Sequence, residues 1–335
     1  MKKIILIIPM SFLLSCCYSI KQGTTMIKYL NRAVPLEIIS DAGFIARVHD
    51  IRRFATEELG LKESRNYTKY VELDRDYLAA VVSASAEDSF SAYEWNYPVV
   101  GKMPYKGFFD IEGARRERAK LEKKGLDVWI RGVDAFSTLG WFKDPLYSYM
   151  RSYSSDRLAD LIIHELLHAT VFIKGRVKFN EELAEFTGSE GARLYMVSRF
   201  GFESAEYNDM ITAETDSKKF IGIIQDLIEK LDVLYSSGAD HEKLLQEKKN
   251  IISAAQEKFE IEYDNNFKSD RYRGFSKLEI NNAYLDLYRL YHPADNFYED
   301  LYERGGKDLT AFIAAAKTIS KKGDPRTQLA NALGF

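Results

Sequence analysis

Residues 161–168 read Leu-Ile-Ile-His-Glu-Leu-Leu-His, and the interpretation of the whole chain starts from this stretch. His164 and His168 are four residues apart, so on a helix they project from one face, about one turn from each other. Two imidazoles at that separation can bind one zinc ion. Glu165 lies off this face but can reach a water molecule at the metal. The motif therefore predicts a buried helix with a zinc site and Glu165 as its general base.

The alternative interpretation is a core helix that contains two incidental histidines. The motif is surrounded by apolar side chains, namely Leu158, Leu161, Ile162, Leu166 and Ala169. A core helix rarely buries two histidines and a glutamate without a partner, which favours the metal site. Ser154 or Ser155 is predicted to cap the start of this helix.

A third ligand is expected soon after the motif, where residues 178–185 read Lys-Phe-Asn-Glu-Glu-Leu-Ala-Glu. Asn180 is a typical N-cap residue, so Glu181 is predicted to open a second helix. If the chain turns back antiparallel in the loop before it, Glu181 faces the two histidines. Glu182 and Glu185 compete for this role, although acids near a helix start are also favoured simply by the helix dipole.

The chain offers few other side chains for a metal. Its two cysteines, Cys16 and Cys17, both lie near the N-terminus, so the folded body has no thiolate ligand, no cysteine nucleophile and no internal disulfide. Any metal must therefore be held by histidine, aspartate or glutamate. The remaining histidines lack the spacing of ligands; they are His49, His241 and His292.

The composition is that of an ordinary globular protein. Of 335 residues, 46% are hydrophobic and 29% are charged, which excludes the disordered, collagen-like and coiled-coil classes. Lysine and arginine number 47 against 50 aspartates and glutamates, so the net charge is −3. A protein that binds nucleic acid would show a basic excess, and we therefore expect no nucleic-acid partner.

The first fifteen residues have the pattern of a secretory signal peptide. Lys2 and Lys3 precede an apolar run at 4–14, which is shorter than the roughly 20 residues that span a bilayer. The sequence Leu-Leu-Ser-Cys at 13–16 resembles the bacterial lipoprotein box, in which the cysteine is lipidated and becomes the mature N-terminus. We therefore expect a lipid anchor on Cys16 and a location in the bacterial cell envelope, on the periplasmic side of a membrane. The alternative is a plain signal peptide with two incidental cysteines.

Periodicity predicts strands before the motif and helices after it. Short β-type runs occur at 70–73 and 78–82, and alternation over 127–133 predicts another strand. Beyond about residue 154, nearly every segment has a helical period. This order indicates an α+β fold, with a small sheet in the N-terminal half and a mostly helical C-terminal half.

The chain resembles a known family over most of its length. The HExxH motif, followed by Phe-Asn-Glu-Glu-Leu-Ala-Glu-Phe at 179–186, is similar to the HExxH…NExxA signature of gluzincin metallopeptidases. More narrowly, the sequence resembles a family of bacterial lipoproteins described as putative aminopeptidases. Further segments that resemble this family lie on both sides of the motif, at 105–110, 127–133, 137–145, 281–283 and 305–309.

The resemblance implies a thermolysin-like zincin fold, in which an edge strand lies above the zinc helix and a helical lobe closes the cleft. Residues 97–101 are the candidate for that strand, where an extended peptide substrate would pair. The resemblance also implies one zinc ion per chain, bound by the two histidines and Glu181, and aminopeptidase activity. After the signal peptide at 1–15, an N-terminal α/β part at 16–150 and a helical part at 151–335 would form one peptidase unit.

An aminopeptidase needs a carboxylate that binds the free α-ammonium group of its substrate. Glu185 is the first candidate because it lies one turn beyond Glu181, and Glu182 and Asp144 are alternatives. The sequence is equally compatible with Glu185 bonding to a zinc-ligating histidine. Tyrosines near the C-terminus are candidates for binding the oxyanion of the reaction; they are Tyr284, Tyr288 and Tyr291.

Two other classes of function stay compatible with the sequence. One is a non-catalytic envelope lipoprotein, a scaffold or a peptide-binding protein, although such a protein has no use for Glu165 beside a metal. The other is a zinc hydrolase that cuts a non-peptide amide, such as one in a cell-wall fragment.

Overall fold

The computed structural model describes residues 28–29, 31–97, 101–133, 144–290 and 296–335. Several of the predicted features lie outside these ranges, namely the signal peptide, Cys16, Cys17, His292, Tyr291 and most of the segment 137–145.

The fold is α+β, as the sequence predicts. The described residues contain eight short strands, β1 to β8, at Val34–Pro35, Lys69–Val71, Ala79–Ala86, Trp95–Tyr97, Gly101–Met103, Tyr105–Phe108, Leu126–Val133 and Leu146–Tyr147. They also contain ten α-helices, α1 to α10, at Ala42–Arg53, Ile111–Glu122, Ser155–Thr170, Val177–Phe200, Ala205–Tyr235, His241–Asn266, Asn282–Leu290, Phe297–Arg304, Leu309–Ala316 and Pro325–Ala332. None of these helices has the length and apolar character that crossing a bilayer requires.

The residues group into two units that are interleaved along the chain. The first unit takes its described residues from Met1–Asn31, Arg75–Phe136 and Thr212–His292, and the second takes them from Arg32–Asp74, Ser137–Ile211 and Pro293–Phe335. The chain passes between these two units several times. The predicted arrangement of the parts 16–150 and 151–335 as one peptidase unit stays a prediction.

The first unit is built on a three-stranded antiparallel sheet in the order β6-β3-β7. β3 consists of alanine, valine and serine, and these small side chains allow seven of its eight residues to be buried. It pairs with β7 along its whole length, with Val82 opposite Ile130. α2 begins after Asp110, whose carboxylate caps the helix, and the chain leaves the helix through Gly125 at a φ of 74°.

The helices of the first unit form an aromatic core. Phe220 on α5 packs edge-to-face against Phe259 on α6, and it stacks on Tyr272 with ring centroids 4.2 Å apart. Lys248 on α6 is only 7% exposed and forms an ion pair with Asp127 on β7. This buried pair joins α6 to the sheet.

The second unit contains the HExxH motif. Its sheet has the order β1-β2-β8, with β1 antiparallel and β8 parallel to β2. Its helices include α3, which carries the motif, and α4, which packs against α3. The motif therefore lies on a helix pair within one unit.

The candidate edge strand at 97–101 lies mostly outside the described residues, because 98–100 are not among them. Of its two described residues, Tyr97 ends β4 and Gly101 begins β5, and these two residues pair with each other in an antiparallel ladder. Gly101 has a φ of 80°, which glycine tolerates. A role of 97–101 as the strand above the zinc helix stays a prediction.

Candidate metal centre

α3 places the HExxH motif at the edge of an apolar core. The helix begins at Ser155, and Ser154 occupies the N-cap position, although its side chain makes no capping hydrogen bond. His164, Glu165 and His168 are half-buried. The other side of the helix is fully buried and consists of Leu158, Ala159, Ile162, Ile163, Leu166 and Leu167. This face fixes the rotation of α3 and thereby the direction of the two histidines.

The next helix begins earlier than the sequence predicts. α4 starts at Val177 with Arg176 as its N-cap, so the assignment of Asn180 as N-cap is wrong. Asn180 is instead 2% exposed, and its side chain both accepts from the N–H of Ile173 and donates to its carbonyl, each at 3.0 Å. This double hydrogen bond ties the loop between the helices to the start of α4, directly beside Glu181.

The two histidines and Glu181 converge, as the sequence predicts. The Nε2 atoms of His164 and His168 are 3.2 Å apart. Oε2 of Glu181 lies 3.8 Å from Nε2 of His164 and 3.6 Å from Nε2 of His168. Histidine, cysteine, aspartate and glutamate are the side chains considered as metal ligands. Within the described part of the chain, this is the one group of three or more of them whose ligand atoms lie within 4.8 Å of one another.

These separations fit a zinc ion. Tetrahedral zinc with bonds of about 2.0–2.1 Å holds its ligand atoms about 3.3–3.4 Å apart, and the three measured distances bracket that value. Two nitrogens and one carboxylate oxygen are also a usual donor set for a zinc ion that keeps a fourth position open. One feature departs from the usual pattern: Nδ1 of His168 is buried without a hydrogen-bond partner among the described residues.

The charges of the group favour a cation. The neighbouring imidazoles of His164 and His168 lower the pKa of Glu181 to about 2, so its carboxylate is ionised at neutral pH. Burial lowers the pKa of His164, but the nearby carboxylates of Glu181, Glu165 and Asp160 outweigh burial and raise that pKa. The group therefore attracts positive charge, whether a proton or a metal ion.

Glu165 lies beside the group without joining it. Burial raises the pKa of Glu165, and the imidazoles of His164 and His168 offset only part of this effect. A carboxylate whose pKa is moved toward neutrality is suited to accept a proton and return it.

The two competing glutamates do not belong to the group. Glu182 accepts hydrogen bonds from Arg326 at 2.9 Å and from the hydroxyl of Tyr298 at 3.3 Å, so it is turned toward α8 and α10. Glu185 forms no hydrogen bond with a described residue. Loss of hydration raises the pKa of Glu185, and the imidazole of His164 opposes the shift, so the carboxylate lies in the field of that histidine.

Tyr67 is a residue of this region that sequence reasoning missed. It is 2% exposed and has a φ of 59°, which is rare for a bulky side chain. The N–H of Tyr67 donates to the carbonyl of Asp144 at 2.8 Å. The guanidinium of Arg52 donates a hydrogen bond to the carbonyl of Asn66, the residue before Tyr67. Burial raises the pKa of Tyr67 well above its ordinary value, and the charges of Glu165 and Asp144 add to this, so the phenol stays neutral. No sequence pattern marks a tyrosine in this conformation.

The tyrosines considered for the oxyanion pack in the first unit. The hydroxyls of Tyr284 and Tyr288 on α7 lie 3.3 Å apart. The ring of Tyr284 packs edge-to-face against that of Trp129, with the ring centroids 4.8 Å apart. Tyr291 lies outside the described residues. A role of these side chains at the oxyanion stays a prediction.

The fold and the site define an α+β protein with a three-residue candidate metal centre of the HExxH type. A model of the family described as "Putative aminopeptidase" matches residues 18–330, and the chain belongs to this family. No curated protein and no solved structure matches the chain. The thermolysin-like arrangement therefore stays a prediction.

Proposed function

We propose that the protein is a zinc-dependent metallopeptidase with aminopeptidase activity. The observation that carries the proposal is the convergence of His164, His168 and Glu181, whose ligand atoms lie 3.2–3.8 Å apart. Membership in a family described as aminopeptidases supports a peptidase. The gluzincin class and the thermolysin-like fold are part of this proposal and rest on the sequence motif.

The roles of the residues follow from their chemistry. His164, His168 and Glu181 would hold the zinc ion, which supplies Lewis acidity for peptide-bond hydrolysis. Glu165 takes a proton from the attacking water and returns it to the nitrogen of the departing amine. Because α3 and α4 pack against each other, they hold the proton acceptor and the ligands in fixed relation.

An aminopeptidase should distinguish a free N-terminus from a blocked one. We expect release of the first residue from a free peptide and none from the same peptide after N-acetylation. The physical reason is that acetylation removes the α-ammonium charge, for which Glu185 and Asp144 are the candidate partners. The measurement is mass spectrometry of both digests over a time course.

Equal internal cleavage of both peptides would show an endopeptidase, and the ammonium-binding role would have to be dropped. A Glu185→Gln variant separates the two roles considered for this residue. Loss of an ammonium partner raises KM for free peptides with zinc retained, whereas loss of a partner for His164 weakens zinc binding itself.

We also propose that the mature chain begins at Cys16 and is anchored to a membrane by lipid. The support is the sequence Leu-Leu-Ser-Cys at 13–16 after a short apolar run. Two acyl chains suffice for stable anchoring. Cys16→Ala is expected to give unprocessed or soluble protein, and Cys17→Ala, the matched control, is expected to stay anchored. Detergent partitioning with intact-mass analysis measures both, and mature-length Cys16→Ala protein in the detergent phase would contradict the proposal.

A further inference from the structure

Gly188 lies inside α4, where a glycine is unfavourable. Glycine in a helix interior costs about 1 kcal/mol relative to alanine, so its presence calls for a structural reason. Gly188 follows Glu181 by seven residues, or two helical turns, and therefore lies on the same face of α4. It is buried, and α3 packs against it.

The reason is the closeness of α3 at this point. A β-carbon placed at Gly188 would lie 2.5 Å from Oδ1 of Asp160, 3.0 Å from the carbonyl oxygen of Asp160 and 3.1 Å from Cβ of His164. The carboxylate could rotate away from such a group. The carbonyl oxygen and Cβ of His164 could not, because their positions are set by the backbone of α3. Any side chain at Gly188 must therefore push back the turn of α3 that carries the first histidine.

This displacement would act directly on the metal centre. His164 lies on α3, whereas Glu181 lies on α4, so the spacing of the two helices sets the distance between these two ligands. Zinc tolerates changes of only about 0.2 Å in its bond lengths. A shift of a few tenths of an ångström at His164 is therefore large for the site.

We propose that Gly188 is a positioning residue of the metal centre, and that its lack of a side chain sets the distance between His164 and Glu181. This inference rests on the proposed zinc site. It predicts that a single methyl group, added far along the helix from Glu181 and touching no ligand atom, weakens metal binding.

Gly191 provides a matched control on the same helix and against the same partner. A β-carbon there would lie 2.9 Å and 3.0 Å from Cγ2 and Cδ1 of Ile163, and 3.1 Å from Cδ1 of Leu59. All three atoms belong to apolar side chains, two of them at flexible ends, and none belongs to the backbone of α3. Gly191→Ala therefore adds the same methyl group to the same helix contact, but it meets side chains of Ile163 and Leu59 rather than the α3 backbone and the β-carbon of a ligand residue.

The test compares Gly188→Ala, Gly191→Ala and wild type in the whole protein. Zinc affinity is measured by competition with a chromophoric chelator, and ligand geometry by the visible absorption of the cobalt(II)-loaded protein. We expect Gly188→Ala to weaken zinc binding by roughly 10- to 100-fold, the range seen when groups that orient ligands are changed, and to alter the cobalt spectrum. Gly191→Ala also crowds the helix contact, but it is expected to change zinc affinity and the cobalt spectrum much less than Gly188→Ala, and an equal change in the two variants would overturn the inference.

Zinc affinity and a cobalt spectrum of Gly188→Ala equal to those of wild type would overturn the inference. If Gly188→Ala does not fold, the double variant Asp160→Ala/Gly188→Ala removes the tightest contact and keeps the other two. The inference then requires weaker zinc binding than in Asp160→Ala alone, and equal binding overturns it. Failure of wild type itself to bind zinc would instead refute the proposed function.

Discussion

Replacing Glu165 by glutamine is expected to abolish most peptide hydrolysis while leaving the fold and the zinc content unchanged. Glutamine has nearly the same shape as glutamate but cannot accept the proton of the attacking water. Proton transfer by a positioned side chain contributes typically 10²–10⁴-fold, so we expect kcat to fall by roughly that factor. Steady-state kinetics on a free peptide, with zinc measured on the same sample, checks this result.

Glu206→Gln is a matched control, because Glu206 is an exposed residue of α5 and has no role in the proposal. It should retain wild-type kcat. A Glu165→Gln variant with near-normal turnover would show that Glu165 is not the proton acceptor, even if the zinc site is correct.

The second prediction with a large expected effect is the loss of zinc when one of its three proposed ligands is replaced. His164→Ala and His168→Ala are expected to lose zinc during purification, because each removes one of the donors that lie 3.2–3.8 Å apart. Glu181→Ala is expected to weaken zinc binding by more than the roughly 10- to 100-fold typical of groups outside the ligand set. Elemental analysis of dialysed protein, with chelator competition, measures these losses.

Glu185→Ala is the control for the ligand series, since Glu185 lies on the same helix without joining the group. Its zinc binding should change much less than that of Glu181→Ala. The reverse order of the two variants would overturn the choice of the third ligand.

The convergence of the two histidines and Glu181 could be predicted from sequence because its geometry is mostly local. The four-residue spacing of His164 and His168 fixes their relation once the segment is helical, and the apolar residues around them predict that helix. The position of Glu181 opposite the histidines depends on the chain turning back after α3. The sequence is compatible with this turn but does not by itself predict it. The strand β7 was predictable for the same reason as the histidine pair, since the alternation of apolar residues over 127–133 is a local signal.

The features that sequence reasoning missed depend on contacts between distant parts of the chain. Asn180 is a residue type that is favoured at N-caps, but its side chain is hydrogen-bonded to the carbonyl and N–H of Ile173 instead. The helix α4 begins earlier, at Val177. Tyr67 is held in its strained conformation by distant partners, and no local pattern encodes them.

The central claim is that one zinc ion, bound by His164, His168 and Glu181, is required for peptide hydrolysis. The most direct measurement removes metal from the wild-type protein with a chelator and then follows hydrolysis of a free peptide as zinc is added back. The account predicts that activity disappears on chelation, returns with zinc and saturates at one zinc ion per chain. Hydrolysis that persists fully in the metal-free protein would contradict it.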